Sequence, residues 1–474
     1  MKQIDVLPDD VLLEIFDLYD HTSRLEVNLK RSMEAWQSLH VCRRWRNLVF
    51  RSPRRLNLQL FCAPNTPAKD TLDVWPALPI FVQGRMALSL RTDNVIAALG
   101  QSNRVCQVAL WELSNRQLEK VMAAMQVPFP ELTNLHLIFS WGSHNEIQPA
   151  NPIPDSFLGG SVPSLQYFKL DRIPFPGLPK LLLSATHLVH LELSGIPHSG
   201  YISPEAMVAL ISTLSSLEKL SLGFRSPQSR PDWETRSLPP SKRSILPALK
   251  YFNFKGVTEY LEGLAARIDT PQVDKMHINF FNQTDSDCPR LTQFINCTPT
   301  FRTVDEARVQ FDVIATLVQF RCRTSQSALG NLEIAISCRE PDWQLSSIEQ
   351  VCNSSLHPLS IVKDLYIERR FWELVWKNDG FEDTLWLELL LPFTTVKNLY
   401  LSKEFAPGIA AALKELVEGR ITEVLPAWRI FSWRDSRRRD FSGKKLGSSS
   451  PRDSSPITLS PFLQKYCPAC RIFS

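Results

Sequence analysis

The sequence predicts an α/β protein in which a small helical module precedes an α/β solenoid and a disordered tail follows it. Two observations lead to this prediction. An apolar triplet with a fixed internal spacing recurs along most of the chain, with a helical segment between many of the copies. In addition, two amphipathic segments lie within the first fifty residues, ahead of the first copy.

The first amphipathic segment is IDVLPDDVLLEIFDLY, residues 4–19. Pro8 suits the first turn of a helix, where a missing N–H costs nothing, and Asp9 and Asp10 favour the positive end of the helix dipole. Apolar residues then recur at short helical steps, namely Val11, Leu12, Ile15, Phe16 and Tyr19. The pattern predicts a short helix with one apolar face.

The second segment is LHVCRRWRNLV, residues 39–49. Helical spacing places Leu39, Cys42, Trp45 and Leu48 or Val49 along one face, whereas the three arginines of the segment project elsewhere. Together the two segments resemble the F-box, whose core pairs a Leu-Pro-x-Asp/Glu-Val/Leu-Leu-x-x-Ile-Phe helix with a Val-Cys-x-x-Trp helix. The stretch between them, residues 20–38, is longer and more polar than the usual turn of that family.

F-boxes dock onto the Skp-type adaptor of cullin-RING ubiquitin ligases, while the remainder of the chain binds the protein substrate. The resemblance therefore implies a set of residues that pack the module or contact the adaptor: Leu7, Pro8, Leu12, Ile15, Phe16, Leu39, Val41, Cys42 and Trp45. The alternative is an ordinary helical hairpin that packs against its own domain.

Past this region, the apolar triplet has the spacing of an LxxLxL motif. Copies lie at residues 105–110, 132–137, 165–170, 188–193, 217–222, 249–254, 273–278, 329–334, 362–367 and 396–401. The second and third members alternate as in a strand, and helical segments such as 115–125 and 204–214 separate the copies, which predicts parallel strands. One long gap predicts a degenerate copy near Val309 and Phe311.

These copies resemble the long, irregular leucine-rich repeats of fungal F-box proteins, which implies a horseshoe-shaped solenoid. The alternative is a doubly wound α/β domain. The predicted organisation is an F-box at 1–52, a connector and cap at 53–104 with strands in LNLQLF (56–61) and GRMALSLR (84–91), the solenoid at 105–428 and a basic tail at 429–474. Loops are predicted at residues 142–162 and 225–245, because both segments are rich in Pro and polar residues.

Charge is unevenly distributed, although the formal net charge of the 474 residues is only +4. From Arg429 onward the chain has ten Lys or Arg against three Asp, a composition typical of disorder. The rest of the chain is near neutral, so no nucleic-acid partner is expected. No apolar stretch is long enough for a membrane span, and the acidic N-terminus does not resemble a signal peptide. Ten scattered cysteines favour a reducing compartment, cytoplasmic or nuclear.

Catalytic motifs for hydrolases, nucleotide-binding loops, zinc proteases and kinases are absent from the sequence, so we expect no enzyme activity and no cofactor. His187 and His190 have no acidic or cysteine partner at a fixed spacing. Their pattern therefore predicts a polar strand face. Cys467 and Cys470 form only half of a zinc site. The sequence therefore predicts a substrate receptor that binds the adaptor, and through it cullin, together with an unidentified protein client. The alternative is a repeat scaffold or sensor without a ligase role.

Overall fold

The computed structural model describes residues 7–15, 42–51, 60–65, 72, 78–87, 92–140, 150–229, 243–281, 288–322, 331–338, 341–353, 356–369, 383–402, 404–410 and 429–433. The helices are α1 (9–15), α2 (Arg43–Arg51), α3 (Thr92–Leu99), α4 (Asn115–Ala124), α5 (Leu178–Leu182), α6 (Pro204–Ile211), α7 (Thr258–Ala265), α8 (Pro289–Cys297), α9 (Pro341–Asn353), α10 (Asp383–Leu390) and α11 (406–410).

The strands are β1 (Leu60–Cys62), β2 (Ile80–Arg85), β3 (Val105–Leu113), β4 (Asn134–Phe139), β5 (Tyr167–Asp171), β6 (His190–Ile196), β7 (Lys219–Phe224), β8 (Ser244–Ile245), β9 (Tyr251–Gly256), β10 (Ile268–Asp269), β11 (Lys275–Phe280), β12 (Glu306–Phe311), β13 (Thr316–Arg321), β14 (Asn331–Ile336), β15 (Asp364–Arg369), β16 (Asn398–Ser402) and β17 (Arg429–Trp433). The fold is therefore mixed α/β, with open, mainly parallel sheet structure.

The chain divides into two compact units, Met1–Ile173 with Lys180–Ala185, and Pro174–Pro179 with Thr186–Ser474. In the first unit the strands lie in chain order, β1 to β5, and every pair is parallel. The apolar triplets align in register, because Leu135 lies between Val108 and Phe168. The predicted parallel pairing is confirmed in this unit.

The second unit has the strand order β6-β7-β9-β11-β14-β13-β12-β15-β16-β17. Its triplets also align, since Leu191 pairs with Leu220, Leu220 with Phe252 and Phe252 with Met276. Strand β13 is antiparallel to both of its neighbours, and the other pairs are parallel. Strands β8 and β10 form a separate parallel pair.

The predicted degenerate copy near Val309 and Phe311 is a strand, β12, but it does not follow β11 in the sheet. The chain passes two strand positions, forms β12, and returns through a tight hairpin to place β14 beside β11. Asp312 closes that hairpin, because its N–H donates to Ala315 O at 2.9 Å and its Oδ1 accepts from the Val313 N–H at 2.6 Å. Met276 thus pairs directly with Leu332, the next regular copy along the sequence.

A common turn precedes the strands. In six copies the N–H of the first triplet residue donates to a carbonyl three residues earlier, as Leu217 does to Leu214 and Val273 to Thr270. The next N–H donates to the equivalent position of the neighbouring copy, such as Lys250 to Glu218 O at 2.9 Å. These repeated bonds fix the register of successive copies, so that their apolar residues share one face of the sheet.

The helices cover that apolar face. Tyr260 of α7 lies against Phe224 and Phe254, with ring centroids 4.6 and 5.9 Å away. Trp386 of α10 likewise contacts Phe311, at 6.0 Å. Two of the helices begin at a serine cap: Ser114 and Gln117 form a capping box on α4, and Ser203 accepts from the Ala206 N–H on α6.

Three sequence predictions differ from the structure. The second capping strand is Ile80–Arg85, whereas 84–91 was predicted, and its buried residues are Ile80 and Val82; residues 88–91 lie outside the described part. In the predicted loop 142–162, the described part from residue 150 packs inward, because Phe157 and Leu158 are fully buried. In the predicted disordered tail, Arg429–Trp433 form a strand that pairs with β16; residues 434–474 lie outside the described part.

Gly159 is expected to be essential for the turn that buries Phe157 and Leu158. Its φ is +66°, and a Cβ would lie 2.7 Å from Pro128 Cγ, whereas Gly160 has a φ of +75° and open space. At either position, an alanine in this left-handed backbone conformation would be destabilising by about 1–2 kcal/mol. Gly159→Ala should therefore lower the free energy of unfolding more than the matched Gly160→Ala, as measured by urea denaturation. Equal losses would contradict the close contact.

Candidate functional site

The described members of the predicted adaptor-binding set lie in helices α1 and α2 or in the residues just before them. Leu12 is 1% exposed, Ile15 is 45% exposed and Pro8 is exposed, while Leu7, Cys42 and Trp45 are half-buried. Phe16, Leu39 and Val41 lie outside the described residues. The predicted set therefore divides into an interior residue, Leu12, and residues that solvent reaches.

Arg44 joins the two helices. Its Nη2 donates to Asp9 Oδ1 and to the carbonyl of Leu7, both at 2.6 Å. Asp9 is well exposed, so the ion pair itself contributes little to stability, but the bond to Leu7 O fixes the chain just before α1. The sequence placed this arginine away from the apolar face and gave no signal of a bridging role, because its partners are more than thirty residues away.

Cys42 caps helix α2. Its Sγ accepts a hydrogen bond from the Trp45 N–H at 3.5 Å, three residues further on, in the place where a serine or aspartate oxygen usually serves. This bond sets the start of α2 at Arg43, which the sequence could not fix. Cys42 and Trp45 are therefore linked by local structure as well as by the sequence pattern.

An exposed apolar stripe runs along α1. Pro8, Val11 and Ile15 follow each other at steps of three and four residues and thus share one side of the helix, and Val11 is 37% exposed. Leu12 lies beside this stripe and Leu13 lies on the other side of the helix, and both are buried. The amphipathic pattern predicted one apolar face, whereas in the structure Leu12 of that face is buried and Val11 and Ile15 are exposed.

A second candidate surface is the sheet face of the second unit that the helices leave uncovered, here called the open face. It consists of the strand residues that alternate with the buried triplet residues on β6 to β16. Its central row, in the order of the strands, is Glu192, Ser221, Asn253, His277, Glu333, Gln319, Arg308, Tyr366 and Tyr400. This central row has a polar group on every residue.

Neighbouring side chains of this row are hydrogen bonded. Asn253 Nδ2 donates to Ser221 Oγ at 2.7 Å, and Gln319 Nε2 donates to Glu333 Oε2 at 3.2 Å. His277 Nδ1 lies 3.7 Å from the same carboxylate. His190, which the sequence assigned to a polar strand face, lies 3.6 Å from Glu192. These pairs hold the side chains in a fixed pattern along the face.

Arg308 occupies the centre of a buried charge cluster. Its Nε donates to Glu306 Oε1 at 2.6 Å, and its Nη1 lies 3.5 Å from Glu368 Oε1. Burial would lower the pKa of Arg308, but the hydrogen bond and the charges of these carboxylates outweigh it and raise the pKa. The guanidinium carbon lies 4.4 Å from the centre of the Tyr366 ring, which stacks on Tyr400 at 4.3 Å.

Burial shifts the pKa of three further groups, one on the open face and two in the first unit. Burial, together with the charges of Glu192 and Glu333, raises the pKa of Tyr251 on the open face, so its hydroxyl stays a hydrogen-bond donor at neutral pH. Burial also raises the pKa of Cys62 and of Cys106 to about 11. These two thiols remain protonated at neutral pH and are therefore poor nucleophiles.

Within the described part of the chain, no group of three His, Cys, Asp or Glu side chains could hold a metal ion. No helix in that part is both long and apolar enough to cross a membrane. No protein-family model matches the chain, and no curated protein matches it.

Proposed function

We propose that the chain is the substrate-recognition subunit of an SCF-type cullin-RING ubiquitin ligase. Residues 1–52 form an F-box that docks the Skp-type adaptor, and a leucine-rich-repeat-like solenoid binds a protein client. The proposed site of action is the cytoplasm, the nucleus or both. The chain itself performs no chemistry, because the ligase partners supply the charged ubiquitin carrier.

The observation that carries this proposal is the exposed stripe of Pro8, Val11 and Ile15. A helix that already buries Leu12 and Leu13 does not need further exposed apolar side chains, such as Val11 and Ile15, for its own folding. Burial of each large apolar side chain contributes about 1.5 to 3 kcal/mol, so such a stripe favours a protein contact. Its position within the F-box-like sequence indicates the adaptor as the partner.

Three features of the sheet support the solenoid. Successive copies pair in parallel and in register, the same turn precedes several of the strands, and no helix of the described part packs on the open face. A doubly wound domain would instead place helices on both faces. The order of β12 to β14 is inverted, but the solenoid scheme continues on either side of it. Strand β14 runs parallel to β11, and β15 runs parallel to β16.

The proposed mechanism is proximity. The F-box holds the adaptor and cullin, the solenoid holds the client, and a client lysine thereby stays close to the ubiquitin thioester. When two reactants are held in one complex, the reaction no longer needs a bimolecular encounter, which can lower the activation barrier by several kcal/mol.

Copurification tests the proposal. The full chain, tagged and expressed in cells, should copurify with an Skp-type adaptor and a cullin, as measured by quantitative mass spectrometry. A chain that begins at residue 53 should lose both proteins. If the full chain yields neither the adaptor nor the cullin, the proposal fails and a repeat scaffold or sensor remains.

A further inference from the structure

Three lysines lie on one half of the open face. Lys219, Lys255 and Lys275 belong to β7, β9 and β11, and each alternates with buried triplet residues. Lys219 and Lys255 are exposed, and Lys275 is half-buried. None of the three forms an ion pair with a carboxylate of the described residues, and Lys255 Nζ lies 5.8 Å from the Phe281 ring centre. Glu192 is the one carboxylate on the open face of β6 to β11.

Carboxylates dominate the other half. On the open face of β12 and β15, Glu306 and Glu368 lie against the guanidinium of Arg308, and Asp364 is the neighbour of Glu306 across the strands. Glu306 and Asp364 are each 6% exposed, so their charge acts from just beneath the surface. Asn398 Nδ2 donates to Asp364 Oδ1 at 2.7 Å, which leaves the negative charge of that carboxylate in place. With Glu333 and Arg321 included, β14 to β16 present more carboxylates than cations. The open face is therefore positive over β7 to β11 and negative over β12 to β15.

The two halves are far enough apart to engage different parts of one partner. Four strand steps separate β9 from β12 in the sheet order. At about 4.8 Å per step, the centres of the halves lie about 20 Å apart, which an extended peptide spans with about six residues. Helices of the second unit pack on the apolar side, as Tyr260 and Trp386 do, so both halves face away from them.

We propose that the open face of the second unit binds a protein segment that has an acidic block and a basic block about six residues apart. The acidic block lies over Lys219, Lys255 and Lys275, and the basic block lies over Glu306, Asp364 and Glu368. Complementary charge fixes the position of such a segment and rejects segments of a single sign. This inference deepens the proposed function. It rests on that function only for the statement that the bound segment is part of the client.

A labelled peptide tests the charge pattern directly. The probe has four glutamates, about two uncharged residues and four lysines, which matches the separation of the two halves. Fluorescence anisotropy with the full chain should show binding that is at least about tenfold tighter than for a peptide of the same composition with alternating charges. Equal affinity for the alternating peptide, or no binding of the block peptide, overturns the inference.

Charge-reversal variants of the protein provide a second test of this inference. Lys219→Glu with Lys275→Glu should weaken block-peptide binding by at least about tenfold. The matched control, Arg290→Glu with Arg302→Glu, makes the same charge change at exposed arginines of α8 and of the short helix after it, on the helical layer of the second unit, and should leave binding within about twofold. A similar loss in the control overturns the inference. Should the first variant fold poorly, Lys219→Gln with Lys275→Gln should show a smaller loss in the same direction.

Two further measurements identify the partner class and separate the two proposals. An all-glutamate peptide or a single-stranded oligonucleotide that binds as tightly as the block peptide overturns the inference, because the lysines alone would then suffice. Adaptor copurification is measured on the same lysine variants and should be unchanged. If the protein binds the block peptide but copurifies with no adaptor, only the ligase proposal fails. If it copurifies with the adaptor but does not bind the peptide, only the charge-pattern inference fails.

Discussion

Leu191→Asp should prevent the second unit from folding. Leu191 is 0% exposed and pairs with Leu220, which is equally buried. Even truncation of a buried leucine to alanine costs about 2 to 5 kcal/mol, and a carboxylate at this position would in addition be buried without a partner. Because a typical domain has only about 5 to 15 kcal/mol of stability, we expect little soluble protein and a circular dichroism spectrum without a cooperative melt.

Val189→Asp is the matched control for this prediction. Val189 lies two residues earlier and is 36% exposed, and its carbonyl accepts from the N–H groups of Glu218 and Lys219. The substitution keeps those backbone bonds and leaves the new carboxylate in contact with water, so the melt should stay close to that of the parent. A Leu191→Asp protein that melts like the Val189→Asp protein would show that the assignment of the triplet to the sheet interior is incorrect.

Leu7→Ala with Pro8→Ala should weaken capture of the Skp-type adaptor by about two to three orders of magnitude. Pro8 is exposed and Leu7 is half-buried at the start of the stripe on α1. Truncation of two anchors at about 1.5 to 2 kcal/mol each corresponds to this loss, since 1.4 kcal/mol changes affinity tenfold. The second unit has its own core, so its thermal melt and its binding of the block peptide should be retained. Adaptor affinity can be measured by titration of the purified adaptor.

Asp10→Ala with Glu14→Ala is the control for the adaptor contact. Both residues are exposed on α1 and lie outside the apolar stripe, so the change should alter adaptor affinity little. Trp45→Ala is expected to reduce adaptor binding as well, in part by destabilising the helices, because Trp45 is half-buried in α2. Wild-type affinity of the Leu7 and Pro8 variant would remove those two residues from the contact and favour the scaffold alternative.

The position of α1 is a case in which periodicity predicted the element but not its environment. Leu12 and Ile15 were assigned to one face, yet Leu12 is buried and Ile15 is exposed, and Leu13, outside that face, is buried as well. Residues one or two positions apart on a helix point in different directions, and which direction faces the interior depends on where α2 lies. Arg44 fixes that arrangement through Asp9 and Leu7 O, at a sequence distance that local patterns do not encode.

The open face is a similar case. Lysines and glutamates at single strand positions carry no recognisable motif, because a solvated face tolerates many polar residues. Their segregation becomes visible only once the sheet order places β7, β9 and β11 side by side and brings β12 next to β15. Residues as distant in the chain as Lys219 and Glu368 then belong to one surface.

The amino-acid pattern alone was sufficient for the strands of the regular copies, their parallel pairing and several of the helices between them, because alternation and helical spacing are properties of a few neighbouring residues. It was also sufficient to predict a strand at Val309 and Phe311. It did not predict β13, which is antiparallel to both of its neighbours. The inversion of β12 to β14, the inward packing of Phe157 and Leu158 and the charge separation on the open face required the folded chain. Each depends on contacts between distant segments, whose free energy is set by which surfaces meet and not by the local sequence.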